Sequence, residues 1–411
     1  MDAELRSAFN RAYTPAYFAR YRERLETPLG VSVSFRLAET PLFLPRGLRD
    51  DLATSARQVV DLISDPGLIR TLERAVPPEF DVPGRDELPD CVQVDFAVTR
   101  DASGALRGRL VELQGFPSLY AFTAHQAAVF AEVTREMPGL DRPFTPFFGG
   151  IGHEAYVEKF RRVVVGDCDP SEVVMLDLDP PSQKTYCDFV ATRRYLGVDP
   201  VCPSELEREG RTLYRTRNGR RVPVRRIYNR VVFDELARKR VRFPFDWRDE
   251  LDVRWVPHPN WYWVWSKYTL PFIDHPAVPR ARFLRDVAEP PEDLGRYVLK
   301  PLFSFAGAGV KVDVTRDDLD AVPEALRGGY LLQEKVTYAP ALVAPDGLGV
   351  KAEVRMMFLR SGPGGALELV LNLARLSRGA MLGVDQNRGH DWVGGSVGIW
   401  PAGEDGAAER A

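Results

Sequence analysis

Apolar residues recur at helical intervals through the first 90 residues of the chain. The positions that carry this pattern are Leu5, Phe9, Tyr13, Phe18, Leu52, Val59, Leu62, Ile69 and Leu72. Intervals of three and four residues place side chains on one face of a helix. Prolines at positions 41, 45, 66, 77 and 78 divide the pattern into separate helices. Residues 1–90 are therefore predicted to form a helical segment that supports the fold or an oligomer and carries no chemistry.

Strict alternation replaces the helical pattern in the next segment. Residues 92–98 and 110–116 each alternate between apolar and polar side chains, and a turn signal at residues 101–104 lies between them. A period of two is typical of a half-buried strand. The segment is predicted to be a β-hairpin, followed by a helix over residues 121–136.

The turn of this hairpin decides which residues face each other. A turn centred between positions 103 and 104 places Asp95 opposite Glu112 and Gln93 opposite Gln114. The other face holds the apolar pairs, Val94 with Leu113 and Phe96 with Val111. Two opposed carboxylates repel each other, and a Mg²⁺ ion shared with nucleotide phosphates would explain their position. Asp95, Glu112 and the amide oxygen of Gln114 are therefore candidate metal ligands.

A solvated hairpin face is the alternative for the same residues. Arg107 or Arg109 could pair with the two acids without a metal. Hairpin geometry alone favours this alternative, because a slip of one residue would rearrange every pair. The second half of the chain changes that balance.

The middle of the chain alternates between strand and helix patterns. Residues 173–178 and 225–233 have the apolar character of buried strands, and residues 182–196 have a helical pattern. A hairpin centred on Asn218 and Gly219 precedes the second strand, since this dipeptide favours a type I′ turn. The order strand, helix, strand predicts a small doubly wound unit.

A lysine at the end of a predicted strand is the first candidate binding residue in the second half of the chain. Residues 297–299 form the strand, Lys300 follows, and a loop with Gly307 and Gly309 leads into a predicted strand at residues 310–314. Glycines let the backbone approach an anion closely, and the lysine adds a cation. A lysine at a strand end, with a glycine loop that leads into another strand, can clamp a nucleotide between sheets. The two familiar phosphate motifs, G-x-x-x-x-G-K-[ST] and a helix-opening G-x-G-x-x-G, are absent from the sequence.

Further polar residues follow at or near the ends of predicted elements. Strands are predicted at residues 330–336, 351–359 and 367–374, and a helix-like turn begins near residue 267. The polar residues at these elements are Lys267, Gln333, Glu334, Lys335, Arg355, Arg375 and Arg378.

The order of these residues resembles the ATP-grasp superfamily. By that resemblance, Lys267 and Lys300 contact the phosphates of ATP, and Arg355 and Arg375 face the transferred phosphate or the acceptor carboxylate. The glycine-rich flap over the phosphates would comprise Ser304, Ala306, Gly307, Ala308 and Gly309. The residues that line adenine and ribose would be Gln333, Glu334, Lys335 and Val336.

The candidate metal ligands occupy an unusual position for that superfamily. Ordinary members place their acidic ligands and an Asn after the arginine strands, whereas Asp95, Glu112 and Gln114 come early here. This order resembles the circularly permuted arrangement of the glutathionylspermidine synthetase group. Gln114 stands where that group has Asn, and no basic residue immediately precedes Asp95. An unpermuted arrangement with Glu353 and Asn372 as metal ligands is the alternative.

The resemblance covers roughly residues 90–400 and implies an α/β (α+β) fold. Its expected segments are a helical part (1–90), a metal-binding hairpin and helix of the ATP-grasp core (91–140), a pre-ATP-grasp domain (145–260), a nucleotide-binding domain (261–400) and a disordered tail (401–411).

The function implied by the resemblance is an ATP-dependent ligase that joins a carboxylate to an amine. An acyl phosphate would form first, and ADP and phosphate would be released, with ATP and Mg²⁺ as cofactors. Two rivals remain open. One is a phosphotransferase that releases a phosphorylated product, and the other is a nucleotide-binding module without catalysis.

Composition excludes several other classes of function. The chain has 55 basic and 58 acidic residues, so its net charge of -3 predicts neither a nucleic acid nor a membrane surface as partner. No apolar run is long enough to span a bilayer. The four cysteines form no C-x-x-C pair, which suits reduced thiols in the cytoplasm. Small-molecule substrates are expected, and the N-terminal helices allow a homodimer.

Overall fold

The computed structural model describes residues 2–233, 235–236, 241–303, 309–362, 364–379, 387 and 389–403. The α-helices within these residues are α1 (Ala3–Ala12), α2 (Pro15–Glu26), α3 (Arg46–Ile63), α4 (Pro66–Leu72), α5 (Tyr120–Arg135), α6 (His153–Val164), α7 (Tyr186–Leu196), α8 (Trp261–Val264) and α9 (Arg316–Asp320). None of these helices combines the length and the apolar character that crossing a membrane requires.

The strands of the same residues form five sheets. They are β1 (Leu42–Phe43), β2 (Cys91–Arg100), β3 (Leu106–Gln114), β4 (Phe144–Thr145), β5 (Val173–Leu176), β6 (Asp199–Val201), β7 (Leu206–Glu209), β8 (Thr212–Arg217), β9 (Arg220–Val224), β10 (Arg226–Asn229), β11 (Arg254–Val256), β12 (Ala281–Phe283), β13 (Tyr297–Pro301), β14 (Tyr330–Glu334), β15 (Pro340–Val343), β16 (Gly349–Arg360), β17 (Leu367–Ser377), β18 (Gly394–Ser396) and β19 (Gly398–Pro401).

The largest sheet joins the early hairpin to strands near the end of the chain. Its antiparallel order is β18-β17-β16-β2-β3, with β15 paired to β16. Asp95 on β2 lies directly across from Arg355 on β16, and Glu353 lies across from Arg375 on β17. Because side chains alternate between the two faces of a strand, these four side chains share one face.

The hairpin has the predicted register at its open end and departs from it beyond Asp95. Asp95 pairs with Glu112 as expected, but Phe96 pairs with Leu110, because the register shifts by one residue. The predicted pairing of Phe96 with Val111 is therefore wrong. Val111 is the extra residue of a β-bulge, a feature that re-aims side chains and backbone groups locally.

The middle of the chain contains a parallel four-stranded sheet in the order β11-β10-β5-β6. Helix α7 follows β5 as the sequence pattern indicated. The hairpin between β8 and β9 turns at Asn218 and Gly219, whose φ angles are 49° and 72°. Positive φ at both central positions agrees with the predicted type I′ turn.

A three-stranded antiparallel sheet in the order β12-β14-β13 carries Lys300 on β13 and Gln333 on β14. The strand predicted at residues 310–314 is absent from the described residues, and only a single bridge joins Leu299 to Lys311. Leu299 and Val314 instead share a small apolar cluster with Leu332. The apolar residues of that segment therefore serve packing and not a continuous ladder.

The N-terminal helices pack on the apolar side of the large sheet. Leu5, Phe9 and Leu52 are buried in the same core as the strand residues Val94 and Phe96. Leu62, predicted to face the core, is 45% exposed. Its neighbours at helical spacing on α3 already fill the buried face, so the apolar face of this helix is narrower than the sequence suggested.

The predicted tail begins inside β19, and residues 404–411 lie outside the described residues.

Candidate functional site

A buried carboxylate held by two arginines lies at the centre of the candidate site. Arg355 Nε donates to Asp95 Oδ1 at 2.6 Å, and Arg355 Nη2 donates to Asp95 Oδ2 at 2.7 Å. Arg375 Nη2 also donates to Asp95 Oδ2. Burial alone would raise the pKa of Asp95, but the two guanidinium groups outweigh burial and hold this pKa below its ordinary value. Asp95 is therefore ionised at neutral pH.

A second carboxylate contacts Arg375 on the same sheet face. Arg375 Nη2 lies 3.0 Å from Glu353 Oε2, and the Tyr338 hydroxyl donates to Glu353 Oε1. Burial raises the pKa of Glu353, while Arg375 opposes that shift. Burial also raises the pKa of Tyr338 well above its ordinary value, and the charge of Glu353 adds to it. Sequence reasoning missed Tyr338, because one tyrosine in a polar stretch carries no spacing signal.

Two lysines from separate segments meet the open end of the hairpin. Lys267 Nζ lies 3.3 Å from Glu112 Oε1, and Lys300 Nζ donates to the carbonyl oxygen of Val111 at 3.2 Å. Burial lowers the pKa of Lys300 to about 8; the charge of Glu112 opposes this shift and that of Lys267 adds to it. The two cations therefore lie near each other above adjacent hairpin residues.

Local hydrogen bonds fix the position of Lys267. It begins a 3₁₀ helix, Lys267–Phe272, that follows the N-cap residue Ser266. Ser266 Oγ accepts from the backbone N–H of Tyr268 at 3.2 Å, and Ser266 N donates to Thr269 Oγ1 at 3.3 Å. This reciprocal capping satisfies two donors at the start of the helix. Lys267 is thus presented from a short rigid element.

Gln333 presents a buried donor to the same region. It is 1% exposed and lies on the face of its sheet that also carries Lys300, since Val298 pairs with Gln333 and Lys300 with Leu331. Among the described residues, no group accepts a hydrogen bond from Gln333 Nε2. A buried amide donor without an acceptor is costly. It fits a site whose acceptor comes from a ligand.

The other predicted adenine residues lie at the edge of a large cavity. Glu334 Oε2 accepts from the backbone N–H of Arg280 at 3.3 Å, and Lys335 Nζ pairs with Asp313 at 2.8 Å. Both residues, with Val336, line a cavity of about 860 Å³ that extends to the hairpin tip and α3. The segment after β14 is thus open to a ligand on one side.

The predicted flap is described at its last residue alone. Ser304, Ala306, Gly307 and Ala308 lie outside the described residues. Gly309 has a φ of 74°, and a Cβ there would lie 3.0 Å from Pro301 Cγ. The expected positive φ is therefore present at Gly309. Only a residue without a side chain adopts such a φ easily.

The predicted metal ligands share one face but differ in their surroundings. Asp95 is fully engaged by arginines, whereas the Glu112 side chain is 26% exposed and Gln114 is half-buried. In the part of the chain that the structure describes, no group of three or more His, Cys, Asp and Glu side chains could hold a metal ion. Glu112 and Gln114 offer oxygens of the kind that Mg²⁺ takes alongside phosphate.

The alternative metal pair is not brought together. Asn372 lies one strand position from Leu373 and therefore on the face opposite Arg375. Its Nδ2 donates to the carbonyls of Pro146 and Gly398 at 3.1 and 3.0 Å, and its Oδ1 accepts from Gly398 N at 2.8 Å. Asn372 holds backbone on the other side of the sheet, so it cannot act beside Glu353.

Gly115 allows the hairpin end to approach the segment that carries Lys267. Its N–H donates to Trp265 O at 2.7 Å, and a Cβ there would lie 2.4 Å from Trp261 O. We expect Gly115→Ala to lower the free energy of unfolding by about 1–3 kcal/mol, because backbone must shift to admit a methyl group. Chemical denaturation measures this. Gly329→Ala, where a Cβ meets open space, is the control and is expected to leave stability unchanged.

Six of the predicted site residues thus lie together on or above one sheet face. They are Asp95, Glu112, Lys267, Lys300, Arg355 and Arg375. Gln333 lies on the strand next to the one that carries Lys300. Within the group Arg355 is 6% exposed, whereas the Arg375 side chain is 35% exposed. Of the two arginines, Arg375 is therefore the more accessible to solvent.

Comparison with known proteins yields a fold and not a family. No family profile matches the chain, and no curated protein matches it. Among solved structures it is similar to a glutathione synthetase-like effector from Globodera pallida in apo form, with a TM-score of 0.56 and 12% identity. The likeness covers 84% of this chain and 87% of that one. The two proteins share an overall fold, and the predicted mixed α/β class is confirmed.

Proposed function

We propose that this protein is an ATP-dependent carboxylate–amine ligase of the circularly permuted ATP-grasp type. One observation carries the proposal. Lys267 and Lys300, from separate elements, converge on adjacent hairpin positions, where Lys267 Nζ lies 3.3 Å from Glu112 Oε1 and Lys300 Nζ lies 3.2 Å from Val111 O. Two cations beside an acid make a site for a polyphosphate and its cation. The shared fold with a glutathione synthetase-like protein supports the same function.

ATP would lie between the β12-β14-β13 sheet and the large sheet. Its base would face Gln333, whose buried Nε2 donor then gains an acceptor on the purine ring. Its phosphates would extend along Lys300 and Lys267 towards Arg375. The donor set fits Mg²⁺ through Glu112 and Gln114, with phosphate oxygens completing the coordination. Bound there, the ion would supply charge neutralisation at the β- and γ-phosphates.

The reaction proceeds in two steps, phosphoryl transfer to the carboxylate and then formation of the amide. A carboxylate oxygen of the acceptor attacks the γ-phosphorus, the bond from the γ-phosphorus to the β–γ bridging oxygen breaks, and ADP leaves. The amine nitrogen then attacks the acyl carbon, the bond from that carbon to the phosphate oxygen breaks, and phosphate leaves while the nitrogen loses a proton. Arg375 stabilises the charge on the transferred phosphoryl group, and the lysines hold the phosphates in position.

The proposal is tested by incubating the protein with ATP, Mg²⁺ and pools of carboxylic acids and amines. Release of ADP and phosphate that requires both an acid and an amine supports ligation. A stable phosphorylated product without amine dependence would point to a phosphotransferase. Mg·ATP binding without turnover in any pool would point to a non-catalytic nucleotide-binding module.

The lowered pKa of Lys300 predicts a pH dependence of nucleotide affinity. The protonated amine binds phosphate, and its pKa in the free protein is about 8. Affinity for Mg·ADP is therefore expected to be constant below this pH and to fall above it by up to about tenfold per pH unit. Calorimetric titrations at pH 7.0 to 9.5, a range spanning roughly that pKa, measure the effect. Lys300→Arg should bind with a flat profile, and parallel profiles for the two proteins would contradict the assignment.

A further inference from the structure

A continuous chain of hydrogen bonds through the large sheet ends at Arg375. Gln93 Nε2 donates to the carbonyl of Ser118 at 2.6 Å, and Gln93 Oε1 accepts from Arg355 Nη1 at 2.9 Å. Arg355 forms the forked pair with Asp95, and Asp95 accepts from Arg375. Each member therefore fixes the orientation of the next, as far as Arg375.

Both carboxylate oxygens of Asp95 are engaged by arginines in this arrangement. Oδ1 accepts from Arg355 Nε, and Oδ2 accepts from both Arg355 and Arg375. Its side chain is 1% exposed, and that of Arg355 is 7% exposed. A metal ion that took the place of Arg355 on Asp95 would leave this arginine buried without its carboxylate, which is strongly unfavourable.

The guanidinium nitrogen of Arg375 that contacts Asp95 also contacts a second carboxylate. This nitrogen, Nη2, lies 3.0 Å from Glu353 Oε2, and Glu353 accepts from Tyr338. Two carboxylates thus meet on one edge of the guanidinium. Glu112 differs from both, since it pairs with Lys267 and lies at the open end of the hairpin. Nearby Gln114 shares a small cavity with Glu112 and Lys267.

We propose that Asp95 is a positioning residue that fixes Arg375 for catalysis, and that it is not a ligand of the metal ion. Metal ligation by this chain then falls to Glu112 and Gln114. The inference rests on the proposed function, since it assigns a role within that site. It predicts that Asp95 governs turnover while Glu112 governs metal affinity.

The test compares Asp95→Asn with Glu112→Gln. Mn²⁺ binding is followed by the loss of the free-ion EPR signal, with each protein saturated with ADP. We expect Asp95→Asn to keep the Mn²⁺ affinity of the wild type within about threefold, and Glu112→Gln to weaken it at least about tenfold. In turnover, Asp95→Asn should lower kcat at least about 30-fold with little change in KM for ATP, because the loss is confined to the transition state.

A double variant separates positioning from a general loss of structure. If Asp95 acts through Arg375, then adding Asp95→Asn to Arg375→Ala should lower kcat by less than about threefold more. Where Asp95→Asn alone fails to fold, Asp95→Asn with Arg355→Met removes one buried charge of each sign, and it should retain the Mn²⁺ affinity of the wild type.

The outcomes distinguish this inference from the function on which it rests. Equal loss of Mn²⁺ affinity in Asp95→Asn and Glu112→Gln would overturn the inference and leave the ligase proposal intact. Absence of ADP-dependent Mn²⁺ binding in the wild type would overturn both. Retained Mn²⁺ affinity with a lowered kcat in Asp95→Asn supports the positioning role.

Discussion

Replacing Lys300 by methionine is expected to lower kcat/KM for ATP by about 10³-fold, because a preorganised cation beside the transferred phosphate is lost. The stability of the folded protein should not decrease. Burial already lowers the pKa of this lysine to about 8, so the charged form is disfavoured where it lies. Thermal unfolding should therefore occur at the same or a higher temperature. Loss of activity with retained stability would mark Lys300 as a functional residue.

Lys311 provides the matched control for this substitution. It lies in the same part of the chain, its side chain is 61% exposed, and it pairs with Asp318 on the surface. Lys311→Met should change kcat/KM by less than about twofold, since exposed ion pairs contribute little. Equal losses in the two variants would show that the effect of Lys300→Met is not specific to the site.

Replacing Arg375 by alanine is expected to lower kcat by about 10³-fold or more while KM for ATP changes little. The reason is geometric. Arg375 is the exposed end of the chain of ion pairs through Asp95, and its charge acts on the phosphoryl group as it transfers. Arg375→Lys should recover only part of the loss, because an ammonium is a compact charge without the planar set of donors that a guanidinium offers to a phosphoryl group.

Steady-state kinetics with the acid and amine pair found in the screen measure this prediction. Arg107→Gln is the control, because Arg107 lies on the hairpin that carries Asp95 but pairs with Asp51 and Asp101 at the far end of that hairpin. Guanidine added in solution should restore part of the activity of Arg375→Ala. A loss in Arg375→Ala that appears in KM alone would assign the residue to ground-state binding.

Local features of the site could be predicted from the sequence. The hairpin from Cys91 to Gln114 follows from strict alternation around a turn, and the pairing of Asp95 with Glu112 follows from the position of that turn. The strand that carries Lys300 could also be predicted from a local pattern, since a short apolar run before a loop indicates a buried strand. These features depend on neighbours a few residues away.

Features that depend on distant partners could not be predicted. Asp95 and Arg355 are 260 positions apart, and each residue was identified without any sign that it pairs with the other. The bulge at Val111 was invisible because Leu110 and Val111 are both apolar and either could face the core. Tyr338 carries a role only through its contact with Glu353.

For the fold as well, individual elements could be predicted from the sequence, whereas the arrangement of the sheets could not. Strand and helix patterns in the middle of the chain predicted β5, α7 and β10, but neither the parallel order of that sheet nor its neighbours follow from periodicity. The sheet that unites β2 with β16 depends on contacts between the two halves of the chain. The order of the candidate site residues along the chain, more than any single strand or helix, indicated that the first and second halves of the chain meet.

The fate of a labelled carboxylate oxygen tests the proposed ligase function most directly. The acceptor acid is labelled with ¹⁸O in its carboxylate and incubated with the protein, ATP, Mg²⁺ and the amine. Attack on the γ-phosphorus predicts that one labelled oxygen per turnover appears in the released inorganic phosphate, with ADP as the other product. Phosphate without label, or label in AMP, would contradict an acyl phosphate formed at this site.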